Sequence, residues 1–141
     1  YYSKFAKNCD EYFYLPHRDE QRGIGGIFFD NLKHKNITSS LSLLANMFET
    51  YLTSYKKIIN RRLNSKFSIY EKEFQLYRRG RYVEFNLLFD RGTKFGIESG
   101  GRTDSILASL PQSVAWPGKL TGKQISMNKK LNDFLSNDWH A

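Results

Sequence analysis

From Tyr82 the chain alternates. Val83, Phe85, Leu87 and Phe89 fall on one side, and Glu84, Asn86, Leu88 and Asp90 on the other. A period of two predicts a strand with one apolar face and one face carrying polar groups. Asp90-Arg91-Gly92 then predicts a turn, Thr93–Ile97 a segment pairing back, and Gly100-Gly101 a second turn. Upstream the period is helical. Leu44, Met47, Phe48, Tyr51, Leu52, Tyr55, Ile58 and Ile59 recur at helix spacing and predict a helix over about residues 40–62. Thr38, Ser39 and Ser40 are candidate N-caps, and Lys56, Lys57, Arg61 and Arg62 suit the negative end of its dipole. A second helix is predicted from Ser68, with Glu71 closing a capping box, Tyr70, Phe74 and Tyr77 as its buried stripe, and Gly80 as its stop. Near the N-terminus, Tyr12–Leu15 and Ile27–Asp30 read as antiparallel strands joined by the polar run His17–Arg22 and the glycines Gly23, Gly25 and Gly26. Thr103–Leu110 predicts a short helix stopped by Pro111, Trp116–Gly122 a loop, and Lys129–Trp139 a terminal helix docked by Leu131, Phe134 and Leu135.

Composition narrows the class. In 141 residues, 40% are hydrophobic and 16% aromatic, which describes a folded chain with a single core. No apolar run approaches the roughly 20 residues of a membrane span, so no transmembrane segment is expected. The chain opens YYSKF without an initiating Met, which reads as a piece of a longer protein. Its single cysteine, Cys9, makes no internal disulfide and fits a reducing compartment. Twenty-two Lys and Arg against 14 Asp and Glu give +8, which predicts an anionic partner: nucleic acid, membrane headgroups or a polyanionic small molecule.

Position discriminates among these. His17, Arg18, Asp19, Glu20 and Arg22 crowd one loop, with Asp30 across the expected hairpin. Mixed charge in such a loop is commonly solvated surface, but here the flanking strands are apolar. Asp90 and Arg91 are neighbours that would point to opposite faces of a strand, so they read as separate tools. Glu98 and Arg102 flank Gly100-Gly101, where backbone N–H groups can form an anion nest. Arg78-Arg79-Gly80-Arg81 is a basic run whose functional alternative is nucleic-acid contact. A phosphate loop, a nucleophile in a recognisable setting and a complete metal set are all absent from the pattern; His34 and His140 are not at ligand spacing to His17.

Two long segments carry a more specific signal. KNCDEYFYLPHRDEQRGIGGIFFD, from Lys7 to Asp30, and RRGRYVEFNLLFDRGTKFG with the following GGRTDSILASLP resemble the oxygen-dependent coproporphyrinogen III oxidases. The resemblance covers residues 1–141 as the C-terminal portion of a single domain, with the N-terminal half of the family lying before Tyr1. Asn8 stands where the family usually has Trp, Asp104 where Glu is usual, and Ala115 where Arg is common.

The resemblance implies an α+β fold with a large antiparallel sheet flanked by helices. It also implies a homodimer, with Tyr82, Val83, Phe85, Leu87 and Phe89 in the dimer contact. The implied reaction converts two propionates of coproporphyrinogen III to vinyl groups, giving protoporphyrinogen IX with O2 as oxidant. No organic cofactor is expected, and no nucleic acid. A divalent metal would involve His17, completed by residues of the missing half. The implied compartment is the bacterial cytoplasm, or a mitochondrion or plastid in a eukaryote. Arginines aimed into a cleft suit four carboxylates: Arg102 with Gly100 and Gly101, then Arg91, Arg18 and Arg22. Asp90, and after it Asp30, would polarise a pyrrole N–H, and His17 would donate a proton. The fragment alone is expected to be inactive.

Overall fold

Helical period wins over the alternation at Tyr82. In the computed structural model, which describes residues 1–137, helix α3 runs unbroken from Ile69 to Leu88. Tyr77, Arg81 and Phe85, four residues apart, form its buried stripe together with Gly80 and Val83. The expected strand is therefore the second half of a helix. A strand must hand its N–H and C=O groups to a neighbour, whereas a helix satisfies them internally, and the described residues offer Tyr82–Phe89 no partner strand. The capping box predicted at Ser68 does form: Ser68 N–H donates to Glu71 Oε2 at 2.6 Å, and Glu71 N–H to Ser68 Oγ at 3.3 Å.

Gly80 does not stop α3. It sits in the helix interior, where an added Cβ would lie 3.0 Å from Trp116 Nε1 and 3.3 Å from the Ala115 carbonyl. The glycine is there for close approach. The Ala115 N–H donates to the Leu76 carbonyl at 3.1 Å, fixing that loop against α3.

Helix α1, Tyr2–Tyr12, precedes a short hairpin in which β1, Tyr14–Leu15, pairs antiparallel with β2, Glu20–Gln21. The register sets Tyr14 against Gln21 and Leu15 against Glu20. This hairpin is shorter and earlier than expected. Tyr12 ends the helix, and Ile27–Phe29 lies in a loop whose Phe28 N–H reaches the Phe5 carbonyl at 2.9 Å. The large antiparallel sheet is not found among the described residues; β1 and β2 are the sheet. Aromatic packing takes its place. Tyr12 stacks on Phe28 at 4.4 Å between centroids, and Phe13 meets Phe85 at 4.9 Å and Phe28 at 5.3 Å. Phe85 and Leu15 are the largest fully buried side chains.

Asp90 follows the end of α3 and caps α4, Arg91–Glu98, so Thr93–Ile97 is helical rather than a returning strand. Helix α5 covers Thr103–Leu107, and α6, Gly122–Leu135, starts earlier than expected behind a second capping box between Thr121 and Gln124. Leu131 and Leu135 are half-buried and Phe134 is 43% exposed; Trp139, expected at the helix end, lies outside the described residues.

The chain divides into two compact units. Residues 29–67 form one by themselves, built on α2, Ile37–Arg62. The predicted helix is there, but its cap is Asn36, whose side chain accepts the Ser39 N–H at 2.8 Å. None of its residues is buried.

Candidate active site around the hairpin

The hairpin tip is held down by one carboxylate on α3. Glu84 accepts Arg18 Nε at 2.7 Å and Arg18 Nη2 at 2.8 Å, a two-pronged pair of the kind a guanidinium and a carboxylate make best. Trp116 Nε1 donates to the same carboxylate at 2.8 Å, Arg81 Nη1 reaches it at 3.3 Å, and His17 Nε2 lies 2.8 Å away. Desolvation alone would push the Glu84 carboxyl up. The bonds from Arg18, His17 and Trp116 outweigh it and hold the group at about 2, so it stays anionic.

Below the tip, Glu20 of β2 accepts Arg78 Nη1 at 3.1 Å and pairs with Arg81 Nε. Arg81 also donates to the Tyr77 hydroxyl and lies 4.3 Å from that ring's centroid. Arg78 straps three elements together, reaching Asn128 Oδ1 of α6 at 3.1 Å and the Gln21 carbonyl at 3.2 Å. Arg78 and Arg81, two of the three arginines in the basic run, are thus committed to Glu20 rather than presented to a nucleic acid.

Of the residues expected to act, the hairpin brings His17 and Arg18 together on Glu84, with Arg22 placed apart from them. Arg22 lies 4.1 Å from the Phe13 centroid, 5.0 Å from Tyr82 and 5.2 Å from Phe85, and burial pulls its pKa down. Asp90 sits apart from the tip as the α4 cap. Its Oδ2 accepts the Thr93 N–H at 2.7 Å and the Thr93 hydroxyl at 2.8 Å, and Oδ1 accepts the Tyr12 hydroxyl at 3.2 Å. Desolvation would raise this carboxyl, but those bonds and the field of Arg22 lower it. Arg91 lies 4.9 Å from the Tyr12 centroid.

The glycine nest is closed. Gly100 takes φ +73 as the residue after the α4 cap, its N–H donating to the Ile97 carbonyl at 3.2 Å and that of Gly101 to Gly96 at 2.9 Å. This is a Schellman ending, in which both N–H groups are spent on helix carbonyls rather than turned to an anion. Arg102 Nε donates to Ser105 Oγ at 2.6 Å. Asp30 is in the 29–67 unit, and the hairpin strands are Tyr14–Leu15 and Glu20–Gln21, so the expected pairing through Ile27–Asp30 does not form. Val83 and Phe85, expected at a dimer edge, are buried, while Leu87 is 44% exposed.

Sequence reasoning missed Glu84, Glu20, Arg81 and Trp116 as organisers. The available signal was the Arg81–Glu84 spacing, which pairs on a helix and is lost when the segment is read as a strand.

The family model for coproporphyrinogen III oxidase matches residues 1–140. This chain belongs to that family. It is 51% identical over 140 residues to the oxygen-dependent coproporphyrinogen-III oxidase of Francisella tularensis subsp. novicida (strain U112), covering 99% of this chain and 46% of that relative. The oxidases of F. tularensis subsp. holarctica (strain LVS) and of F. philomiragia subsp. philomiragia are each 49% identical over the same span and share. The chain thus spans just under half the length of these curated relatives. Within this chain, no three His, Cys, Asp or Glu side chains group to hold a metal among the described residues. His17 has Glu84 beside it, but Arg18 occupies both of that carboxylate's oxygens. These side chains alone do not fit a metal site. No helix of the described residues is long and apolar enough to cross a membrane.

Proposed function

We propose that this chain forms part of an oxygen-dependent coproporphyrinogen III oxidase, contributing the C-terminal half of its cleft. The observation that carries the reading is identity of about half the residues over nearly the whole chain with enzymes of that name. In the proposed reaction each of two propionic side chains loses CO2 and two hydrogens to become a vinyl group. An O2 takes up the hydrogens and the electron pair and leaves as H2O2, so no further oxidant is needed.

The macrocycle is a tetracarboxylate, which gives the +8 charge a use. Arg18, Arg22, Arg91 and Arg102, with the Gly100-Gly101 turn shaping the last, are the proposed carboxylate partners. Asp90, kept ionised by Thr93 and Tyr12, is the proposed group against the pyrrole N–H, with Asp30 second. His17, oriented by Glu84, is the proposed proton donor. We infer a homodimer, with Leu87 and Leu88 on the exposed end of α3 as contacts. We also infer that the large antiparallel sheet belongs to the complete protein, where other segments would supply partner strands. We also propose a bacterial cytoplasmic setting, a reading supported by the bacterial relatives.

The test is turnover. Coproporphyrinogen III is supplied under air to this chain alone and to this chain joined to the unmatched half of a Francisella relative. Protoporphyrin fluorescence should appear only with the joined protein and only with O2. Its absence from a folded joined protein would sink the assignment.

A further inference from the structure

The longest helix has an apolar face that the proposed chemistry leaves unused. On α2, Leu41, Leu44, Phe48, Tyr51, Tyr55 and Ile58 recur at alternating steps of three and four, and all of them are exposed. Leu52 and Ile59, also exposed, lie one place beyond Tyr51 and Ile58 and widen the same face. It spans roughly 120° of the helix surface and runs about 27 Å from Leu41 to Ile59. Tyr51 and Tyr55 stack on it with ring centroids 5.4 Å apart. Single exposed apolar side chains are ordinary, but a continuous stripe marks a surface that another body covers.

The pattern on and beside the stripe discriminates among occupants. A second copy fits poorly. Paired helices of a coil use a narrow seam of two positions in seven, flanked by opposite charges that set partner and register. Here the flanking positions are Ala45, Leu52 and Ile59 on one side and Met47, Ser54 and Arg61 on the other, so no such charge pair can form. Anionic lipid fits poorly too. A helix lying on a lipid surface carries cations along its polar face, whereas residues 37–55 bear Glu49 as their single charge and Lys56, Lys57, Arg61 and Arg62 crowd the last turns. Three positions in seven is the breadth of a helix laid on a globular core. The relatives have a body of protein that this chain lacks: its 140 matched residues are 46% of the Francisella novicida oxidase.

We infer that the Leu41–Ile59 face of α2 is the docking surface for the half of the family's protein outside the matched span, which lays an apolar layer across it. The inference rests on family membership and on the relatives' length, not on the reaction proposed above. The unit of residues 29–67 then gains its core only in the complete protein, which accounts for a 26-residue helix without one buried side chain. Thr50, Thr53 and Ser54 lie on the opposite side of α2, are exposed, and stay in water.

The experiment compares amide hydrogen exchange in the 141-residue chain and in the joined protein. Amides of α2 should slow by about a hundredfold or more on joining, while the buried half of α3 stays protected in both and certifies the fold. In a second arm the unmatched half of the Francisella relative is co-expressed, as a separate chain, with a tagged 141-residue chain. It should co-purify with wild type and with Thr53→Asp. It should be lost with the double variant Phe48→Asp and Leu52→Asp, both at exposed positions. If the joined protein loses α3 protection, co-purification decides. Equal α2 exchange in the two proteins with α3 protected, co-purification as strong in the double variant as in wild type, or none with wild type would each overturn the inference. So would α2 amides that slow in the 141-residue chain as its concentration rises, which assigns the face to a second copy. Slowing only with phosphatidylglycerol vesicles would assign it to lipid and overturn the inference as well. O2-dependent turnover by the joined protein reads the functional proposal separately, because α2 can be covered in a protein that catalyses nothing.

Discussion

Glu84 shows how much one side chain can fix. It joins the hairpin to α3 and to the Trp116 loop through four donors, and is nearly out of solvent. Because its folded pKa is about 2 against an ordinary 4.5, its contribution is fully present above the ordinary value. It is lost as pH falls from about 4.5 towards 2. We expect Glu84→Gln to destabilise the chain by about 2–3 kcal/mol at neutral pH and to flatten that acid limb. Urea unfolding at pH 7, 4 and 3 checks both, and an unaltered acid limb would remove Glu84 as its source. Asp90 permits a cleaner separation of roles. Asn caps a helix about as well as Asp, while Ala loses roughly 1 kcal/mol. Asp90→Asn should therefore lower the melting temperature less than Asp90→Ala does and, in the joined protein, lose turnover as fully as Asp90→Ala. Normal turnover in Asp90→Asn would show that the carboxylate is only a cap.

At the scale of elements, α3 decides between two readings that the same residues support. Val83, Phe85, Leu87 and Phe89 alternate, yet Tyr77, Arg81 and Phe85 are also four apart. Pattern alone could not choose; partners did. The capping box at Ser68 and the helix at Ile37–Arg62 were legible because their signals are local: a hydroxyl three residues before a carboxylate, and a long apolar stripe. The Glu84 cluster was not, because Arg18 and Trp116 reach it from 66 and 32 residues away. Gly80 stands out in the pattern as a helix stop, whereas the structure uses it for close approach. In an exposed helix Gly→Ala gains about 1 kcal/mol. At Gly80 the new methyl group meets Trp116 Nε1 at 3.0 Å and a backbone carbonyl at 3.3 Å. We expect Gly80→Ala to lower the melting temperature and to shift the Trp116 indole N–H resonance as its bond to Glu84 is disturbed. A raised melting temperature would mean that the loop yields freely.

Across the whole chain, stability should be concentrated where burial is. Residues 1–28 and 68–137 contain every buried side chain among the described residues, including Phe85 at 1% exposure. α2 buries none, and Phe48 on its apolar stripe is 64% exposed. A helix without tertiary packing depends on its own propensity and capping, which is marginal even at 26 residues with an Asn cap. Two measurements follow from this division. Phe85→Ala should cost about 3–5 kcal/mol by leaving a cavity in the aromatic cluster, whereas Phe48→Ala, at an exposed position, should stay within about 0.5 kcal/mol. Amide hydrogen exchange should show the same contrast, with α2 protected by far less than the buried half of α3. In the joined protein the comparison gains a second use. If the added half packs on α2, Phe48→Ala becomes costly and the α2 amides slow, while Phe85→Ala keeps its cost. If Phe48→Ala is already as costly as Phe85→Ala in the 141-residue chain, the stripe on α2 is buried in solution and stability is not concentrated in residues 1–28 and 68–137.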